Sequence, residues 1–291
     1  MTGRREVSMQ SLPRAGRWAV YISLAVVFAI ACAFLSNWQF TRNQERSAQL
    51  ALVGKNYDAQ PVPLADLIPP GETLDAGDQW HPVRLTGTYL AEDQLLVRNR
   101  PHGGTAAFEV LVPFRLDDGR VILVNRGWVP PGGDQPDPDA VPAPPAGEVT
   151  VIARLRPGEP LPSSGRTAPD GQVPTINLGL IADTIDDSAG AALEQGAYGL
   201  MVSEDPAPAA QPNRLEAPSE DPGPHLSYAI QWILFAIMGF VFIGYVIRTE
   251  RRHRLEDTRD SDAASAAHEA PRRRDRDAAA EDALLDRAEI R

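Results

Sequence analysis

Residues 18–35 read WAVYISLAVVFAIACAFL, and residues 226–247 read LSYAIQWILFAIMGFVFIGYVI. Neither block contains Asp, Glu, Lys, Arg or His. As helices rising about 1.5 Å per residue they extend roughly 27 and 33 Å, enough to cross a bilayer core. Leu, Ile, Val and Phe account for nine residues of the first block and twelve of the second. On an insertion scale of about −0.3 to −0.6 kcal/mol for each such residue, the blocks gain roughly −3 to −5 and −4 to −7 kcal/mol, which outweighs Ser23, Ser227 and Gln231. The first block has a rival reading as a cleaved signal peptide, because Ala31-Cys32-Ala33 fits a small-x-small cleavage pattern. The apolar run continues through Phe34 and Leu35 and ends at Trp38 as an interfacial anchor would, which suits a retained helix better.

Working outward, the flanking basic residues orient both spans, since Lys and Arg near short ends stay on the cytoplasmic side. Arg4, Arg5, Arg14 and Arg17 precede the first span, against Arg42 and Arg46 after it. Arg248, Arg251, Arg252, Arg254 and Arg259 follow the second, with Arg214 the one basic residue closely preceding it. The chain of 291 residues then divides into a cytoplasmic segment 1–17, a first span 18–38, an extracytoplasmic domain 39–224, a second span 225–247 and a charged cytoplasmic tail 248–291. The formal net charge of −11 lies mostly in the middle domain and argues against a nucleic-acid surface. The sole cysteine, Cys32, lies in the first span, so no intrachain disulfide or paired-thiol metal site can form.

After a polar, helical stalk from Gln39 to about Val53, the middle domain carries alternating or β-branched runs at 82–90, 94–100, 108–116, 120–129, 148–156 and 198–203. Asp117-Asp118-Gly119 joins two of them in a tight hairpin, because glycine takes positive φ readily. Short helices are expected at 64–68 and, with a break, at 178–193. Residues 130–147, 163–171 and 205–224 read as Pro- and Gly-rich loops and a linker. The fold class is α+β: two transmembrane helices bracketing a predominantly antiparallel β domain. Too few large apolar groups follow Arg248 to build a core, so the tail is expected to be mostly disordered, with 278–290 able to form a short helix on a partner.

His225 opens the second span after Gly223-Pro224, and Tyr228, Trp232 and Phe235 follow at three- to four-residue spacing, which reads as one helical stripe. One reading is an interfacial histidine above an aromatic belt. The other makes neutral His225 an axial ligand to haem iron, with Tyr228 and Trp232 against the macrocycle. Gln231, polar within the outer part of a span, is expected to face a protein partner or headgroups. In Val124-Asn125-Arg126-Gly127-Trp128-Val129-Pro130 the bland reading pairs Arg126 with a carboxylate, bends at Gly127 and packs Trp128. Arg98, Asn99, Arg100 and His102 form a basic turn that fits either a solvated hairpin end or a dock for an acidic surface or propionate. His81 and His102 lack partners at metal-site spacing, so no metal site is expected. Phosphate loops, the nucleophile elbow and the haem-attachment motif are all missing from the sequence, which points away from an enzyme.

Four stretches, in order between the spans, together resemble the surfeit locus protein 1 family of cytochrome c oxidase assembly proteins. They are Leu35-Ser36-Asn37-Trp38-Gln39-Phe40-Thr41-Arg42, the basic and proline-marked strands Arg98–Pro101 and Pro113–Leu116, the run Val124–Pro130, and Gly223–Trp232. The resemblance covers most of 18–248. It implies a membrane-embedded assembly factor acting on the large, haem-bearing oxidase subunit, with haem a delivery or retention as its work and His225 at the position of haem contact. Trp38, Gln39 and Arg42, leaving one span, should then meet His225, Tyr228 and Trp232, entering the other, at one membrane surface. Ser36 departs from the family's glycine, and the charged tail has no counterpart of known role. Glu6 and the lack of a convincing amphipathic, acid-free presequence lead us to expect a bacterial plasma membrane, and the resemblance implies oxidase subunits as partners beside the lipid. Two other readings are a scaffold that never touches haem and an extracytoplasmic sensor signalling through the tail. Deleting Leu255–Arg291 is expected to leave function intact, measured as oxidase activity in cells; loss of function would favour the sensor.

Overall fold

The computed structural model describes residues 14–269. The short helix expected at 278–290 lies outside them, as does most of the N-terminal segment. The chain divides into a helical unit, 14–43 with 223–269, and a β-rich unit, 44–222. Helix α1, Arg14–Asn56, contributes to both, so the stalk expected from Gln39 is helical.

In the helical unit α1 packs against α5, His225–Glu269, and both are long and apolar enough to cross a membrane. Lipid tails are as apolar as leucine, so spans do not associate by hiding large apolar groups; close backbone approach and polar contacts hold them instead. The contact faces follow that rule. Cys32 and Ser36 of α1 and Ala229 of α5 are buried, flanked by half-buried Ala25, Ala29, Ala236 and Gly239. A Cβ on Gly239 would stand 3.1 Å from the Phe28 ring. The large apolar residues Leu24, Val27, Ile30, Leu234, Ile237 and Val241 are left outward, where lipid would solvate them.

The tail departs from expectation. Instead of losing order at Arg248, α5 continues as helix to Glu269. The span has already nucleated the helix, so each added residue needs only propagation. Glu250 pairs with Arg254 at 3.4 Å and lies 3.9 Å from Arg17 of α1, while His253 sits 3.6 Å from Glu256.

In the β-rich unit the strands are β1, Val62–Pro63; β2, Pro82–Tyr89; β3, Leu95–His102; β4, Thr105–Leu116; β5, Val121–Val129; β6, Val149–Arg156; β7, Gln172–Val173; and β8, Tyr198–Asp205. The short helices are α2, Leu64–Leu67; α3, Leu178–Ala182; and α4, Asp187–Ala191. The sheet order is β1-β2-β6-β8-β5-β4-β3-β7, and a further β2–β4 pairing closes β2-β6-β8-β5-β4 into a ring. Antiparallel ladders dominate; β1–β2, β3–β7 and β5–β8 are short parallel pairings.

Each strand's sequence pattern follows from which of its faces are covered. Along β6, Val149, Val151, Ala153 and Leu155 point into the core and the residues between them do not, giving strict alternation. Along β5, Ile122 and Val124 enter one core cluster with Phe108, Val112 and Phe114, whereas Val121 and Leu123 enter a second, with Ile176, Ile181 and Leu193 beneath α3 and α4. Both faces of β5 are therefore buried, which is why it reads as a continuous apolar run.

A partly exposed clamp ties the segment after β6 to this framework. Glu159 accepts from Arg100 at 2.6 and 2.7 Å, from the Thr175 hydroxyl and from the Ile176 N–H. Burial opposes its charge, but the Thr175 and Arg100 hydrogen bonds prevail and hold its carboxyl below the ordinary 4.5. Burial, with the Glu159 charge nearby, pushes the Tyr198 phenol up to about 12. A lowered carboxylate pKa adds stability that is present above pH 4.5 and lost as pH falls through the folded-state value. Glu159→Gln is therefore expected to lower the midpoint of thermal unfolding at pH 7, with the gap to the parent closing below about pH 4 in the same measurement.

Candidate functional site

The sequence-predicted residues fall into two places, one in each unit. In the helical unit, His225 begins α5 and its Nδ1 lies 3.0 Å from Oε1 of Gln39 on α1. A carbonyl oxygen can only accept, so Nδ1–H donates, and the lone pair of the neutral imidazole is on Nε2. One turn further along, the Ser36 hydroxyl donates to the Ala229 carbonyl at 2.9 Å within the buried crossing. Ser36, the departure from the family pattern, thus forms an interhelical hydrogen bond that glycine could not. Gly223, at φ 72°, lies beside the imidazole: a Cβ there would come within 3.7 Å of Nε2. A side chain at this position would crowd the approach to that nitrogen.

The stripe expected on α5 is present, since His225, Tyr228, Trp232 and Phe235 lie within about 40° of a common line, but it is rotated away from the face that meets α1. At 100° per residue His225, Ala229, Trp232, Ala236 and Gly239 lie within about 40° of one line, whereas Tyr228 is about 60° off it. His225 and Trp232 are accordingly half-buried, with Trp232 meeting Phe235 edge-on at 5.7 Å, and Tyr228 is 47% exposed. Gln39 reaches His225, but Trp38 and Arg42 lie on the exposed side of α1. Gln231 is exposed on α5, away from the crossing.

In the β-rich unit, the run Asn125–Trp128 ends β5. Val110 pairs with Gly127 and Leu111 with Asn125, so Arg126 is the extra residue of a bulge. That bulge turns Arg126 into the core. Its Nη2 donates to Oε1 of Glu204 at 2.8 Å, its Nε lies 3.3 Å from Oε2, and both side chains are fully buried. Arg126 Nη1 also donates to the Pro142 carbonyl, while Glu204 accepts from the Tyr89 hydroxyl at 2.9 Å and from Gln211 at 3.3 Å. Burial, then the Glu204 charge, raises the Tyr89 phenol well above its ordinary range. Gly127 has φ 128°, and a Cβ there would lie 2.2 Å from the Asn213 carbonyl oxygen, which explains glycine at this position.

Asn125 donates to Glu109 at 2.8 Å and accepts from the Gly127 N–H. His102 contacts the other Glu109 oxygen at 3.0 Å and stacks on Trp128, ring centroids 5.4 Å apart. The Trp128 indole donates to the Arg214 carbonyl, and its backbone bridges Asn213, so the Pro-rich segment after β8 is tied down rather than a free linker. Glu109 and Glu204 were not anticipated. A lone acidic residue in a strand looks solvated until its partner is known, and Glu204 lies one residue past the expected strand end at Ser203.

Residues 26–237 match the SURF1 family model. The chain belongs to the SURF1 family. An uncharacterized SURF1-like protein of Mycobacterium tuberculosis is 36% identical over 244 residues, 82% of this chain and 87% of its own length. A SURF1-like protein of Monosiga brevicollis is 31% identical over 153 residues, 47% of this chain and 52% of its own. The cytochrome oxidase assembly protein SHY1 of Saccharomyces cerevisiae is 30% identical over 113 residues, 37% of this chain and 28% of its own. The SURF1 match takes in the helix crossing, all of the β-rich unit and His225, and it ends before the charged extension of α5.

Removing one partner of a fully buried ion pair strands the other, at a cost of about 3–5 kcal/mol. Arg126→Met is expected to lower the thermal unfolding midpoint by roughly 10 °C. Arg126→Met with Glu204→Leu should recover a substantial part of that loss, both read by thermal unfolding of the full chain in detergent.

Proposed function

We propose that this chain is a membrane assembly factor for a haem–copper cytochrome c oxidase, and that the outer end of its helix pair holds haem a transiently for the large subunit. Family membership and the oxidase-assembly role carried in the yeast relative's name support the first part. The single observation that carries the second is the orientation of His225. The Gln39 Oε1 accepts the Nδ1–H hydrogen bond and so leaves the Nε2 lone pair free to ligate iron, and Gly223 places no side chain beside that nitrogen. When bound, haem a would supply the redox-active iron that the oxidase needs. The residues here would position it: His225 by its lone pair, Gln39 by fixing the tautomer, and Trp232 by an apolar flank. Trp38, facing outward on α1, and Gln231, outward on α5, are then available to oxidase subunits or headgroups.

The distribution of arginines around the two spans supports a β-rich unit outside and both chain ends in the cytoplasm of a bacterial plasma membrane. The protein would act by binding and holding rather than by catalysing a covalent change. A second reading, a scaffold that stabilises oxidase subunits without touching haem, is favoured by one observation. The His225–Gln39 and Ser36–Ala229 bonds already give these residues a role in joining the helices.

Protein purified from cells that make haem a is expected to show a haem Soret band that falls at least fivefold in His225→Ala and by a smaller factor in Gln39→Ala. An unchanged band in His225→Ala, or a deletion strain whose large subunit is still fully haem-loaded, would support the scaffold instead.

A further inference from the structure

Arg98 and Asn99 sit where the β3–β4 ladder slips, between Val97 and Arg100, so both residues leave the strand pairing. Asn99 adopts φ 60°, a left-handed conformation that a residue with a side chain takes at some cost. Bulges of this kind re-aim a side chain out of a sheet, and here the side chain is Arg98. Its Nε is buried and, among the described residues, has no hydrogen-bond partner. Its neighbour Arg100, whose Nε is likewise without a hydrogen bond, is nevertheless ion-paired to Glu159 through Nη2 and lies 3.7 Å from Glu109, and His102 contacts Glu109 and Trp128. Half of the basic turn is thus structural, and Arg98 is left over.

Arg98 lines a cavity of about 220 Å³ with Asn99, Arg166, Thr167 and Pro174. Arg98 and Arg166 are both among its lining residues, no Asp or Glu is, and Asn99 and Thr167 add polar side chains. In a chain with a formal net charge of −11, such a wall is built for an anion. Arg166, Thr167 and Pro174 also line a larger cleft of about 640 Å³, whose floor includes Leu161, Val173 and Leu180. Leu161 is 60% exposed there. A basic pocket and a largely apolar cleft, which also carries exposed Asp170 on its lining, therefore share one wall.

We propose that this joined pocket and cleft is a docking site for an extended segment of a partner protein in which an acidic residue neighbours a large apolar one. The carboxylate enters between Arg98 and Arg166, and the apolar side chain lies over Leu161 and Leu180. Charge complementarity selects the acidic group, and the adjoining apolar cleft selects a peptide over a bare inorganic anion. The site lies wholly within the β-rich unit and does not depend on haem contact at His225.

The test uses the full chain in detergent and a fluorescein-labelled peptide of alternating leucine and glutamate, followed by fluorescence anisotropy. Arg98→Gln and Arg166→Gln are each expected to weaken binding at least fivefold, with the thermal unfolding midpoint unchanged because neither side chain has an ion-pair partner among the described residues. A leucine–glutamine peptide and a serine–glutamate peptide should each bind at least tenfold more weakly than the parent peptide. Leu161→Ser should weaken the leucine–glutamate peptide while leaving the serine–glutamate peptide unaffected. Equal binding of the glutamine peptide, or displacement of the parent peptide by inorganic phosphate at micromolar concentration, would overturn the proposal, the latter in favour of a simple anion or lipid-headgroup site.

Discussion

The fully buried pair of Arg126 and Glu204 is the constraint around which the β-rich unit is arranged. Two charges cannot sit in a barrel interior unless nearly every donor and acceptor they carry is used, so the surrounding chain must come to them. Tyr89 from β2, Pro142 from the loop before β6, and Gln211 from the segment after β8 all do so. Three further stretches are thereby brought to the pair, and two of them are Pro-rich segments with little apolar content of their own. A hydrophobic core alone would not fix such loops, because it has nothing directional to offer them.

The bulge that turns Arg126 inward also places its neighbours. Asn125 and Trp128 fall on either side of Gly127 and reach Glu109, His102 and the backbone at 213–214. One irregularity in one strand thus aims a charge into the core and holds the hairpin end of β3 and β4 against the returning chain. The leftover member of that hairpin end is Arg98, which among the described residues has no ion-pair partner, whereas Arg100 and His102 each have a carboxylate.

The helical unit follows a different rule. Its buried crossing is made of the small residues Cys32, Ser36 and Ala229, which let the helices meet at that point, while larger residues such as Phe28 and Phe235 line a cavity of about 490 Å³ between them. Ser36 and Gln39 each add a directional bond, to Ala229 and His225. Those bonds set the rotation of α5, which turns His225 toward α1 and leaves Tyr228 outside.

The sequence by itself determined the two spans, most strand positions, the 117–119 hairpin and the family, because each is a local pattern: an uncharged run, a period of two, a glycine turn, or four ordered motifs. It also gave Arg126 a carboxylate partner without naming it. Only the tertiary structure decided that the partner is Glu204, that Glu109 joins Asn125 to His102, and that Gln39 rather than Trp38 or Arg42 meets His225. The physical reason is the same in each case. A polar side chain's role depends on what lies within about 3 Å of it, and that neighbour comes from elsewhere in the chain. The helix beyond Arg248 escaped composition for a related reason: a polar segment that would not nucleate alone continues a helix that the span has already begun.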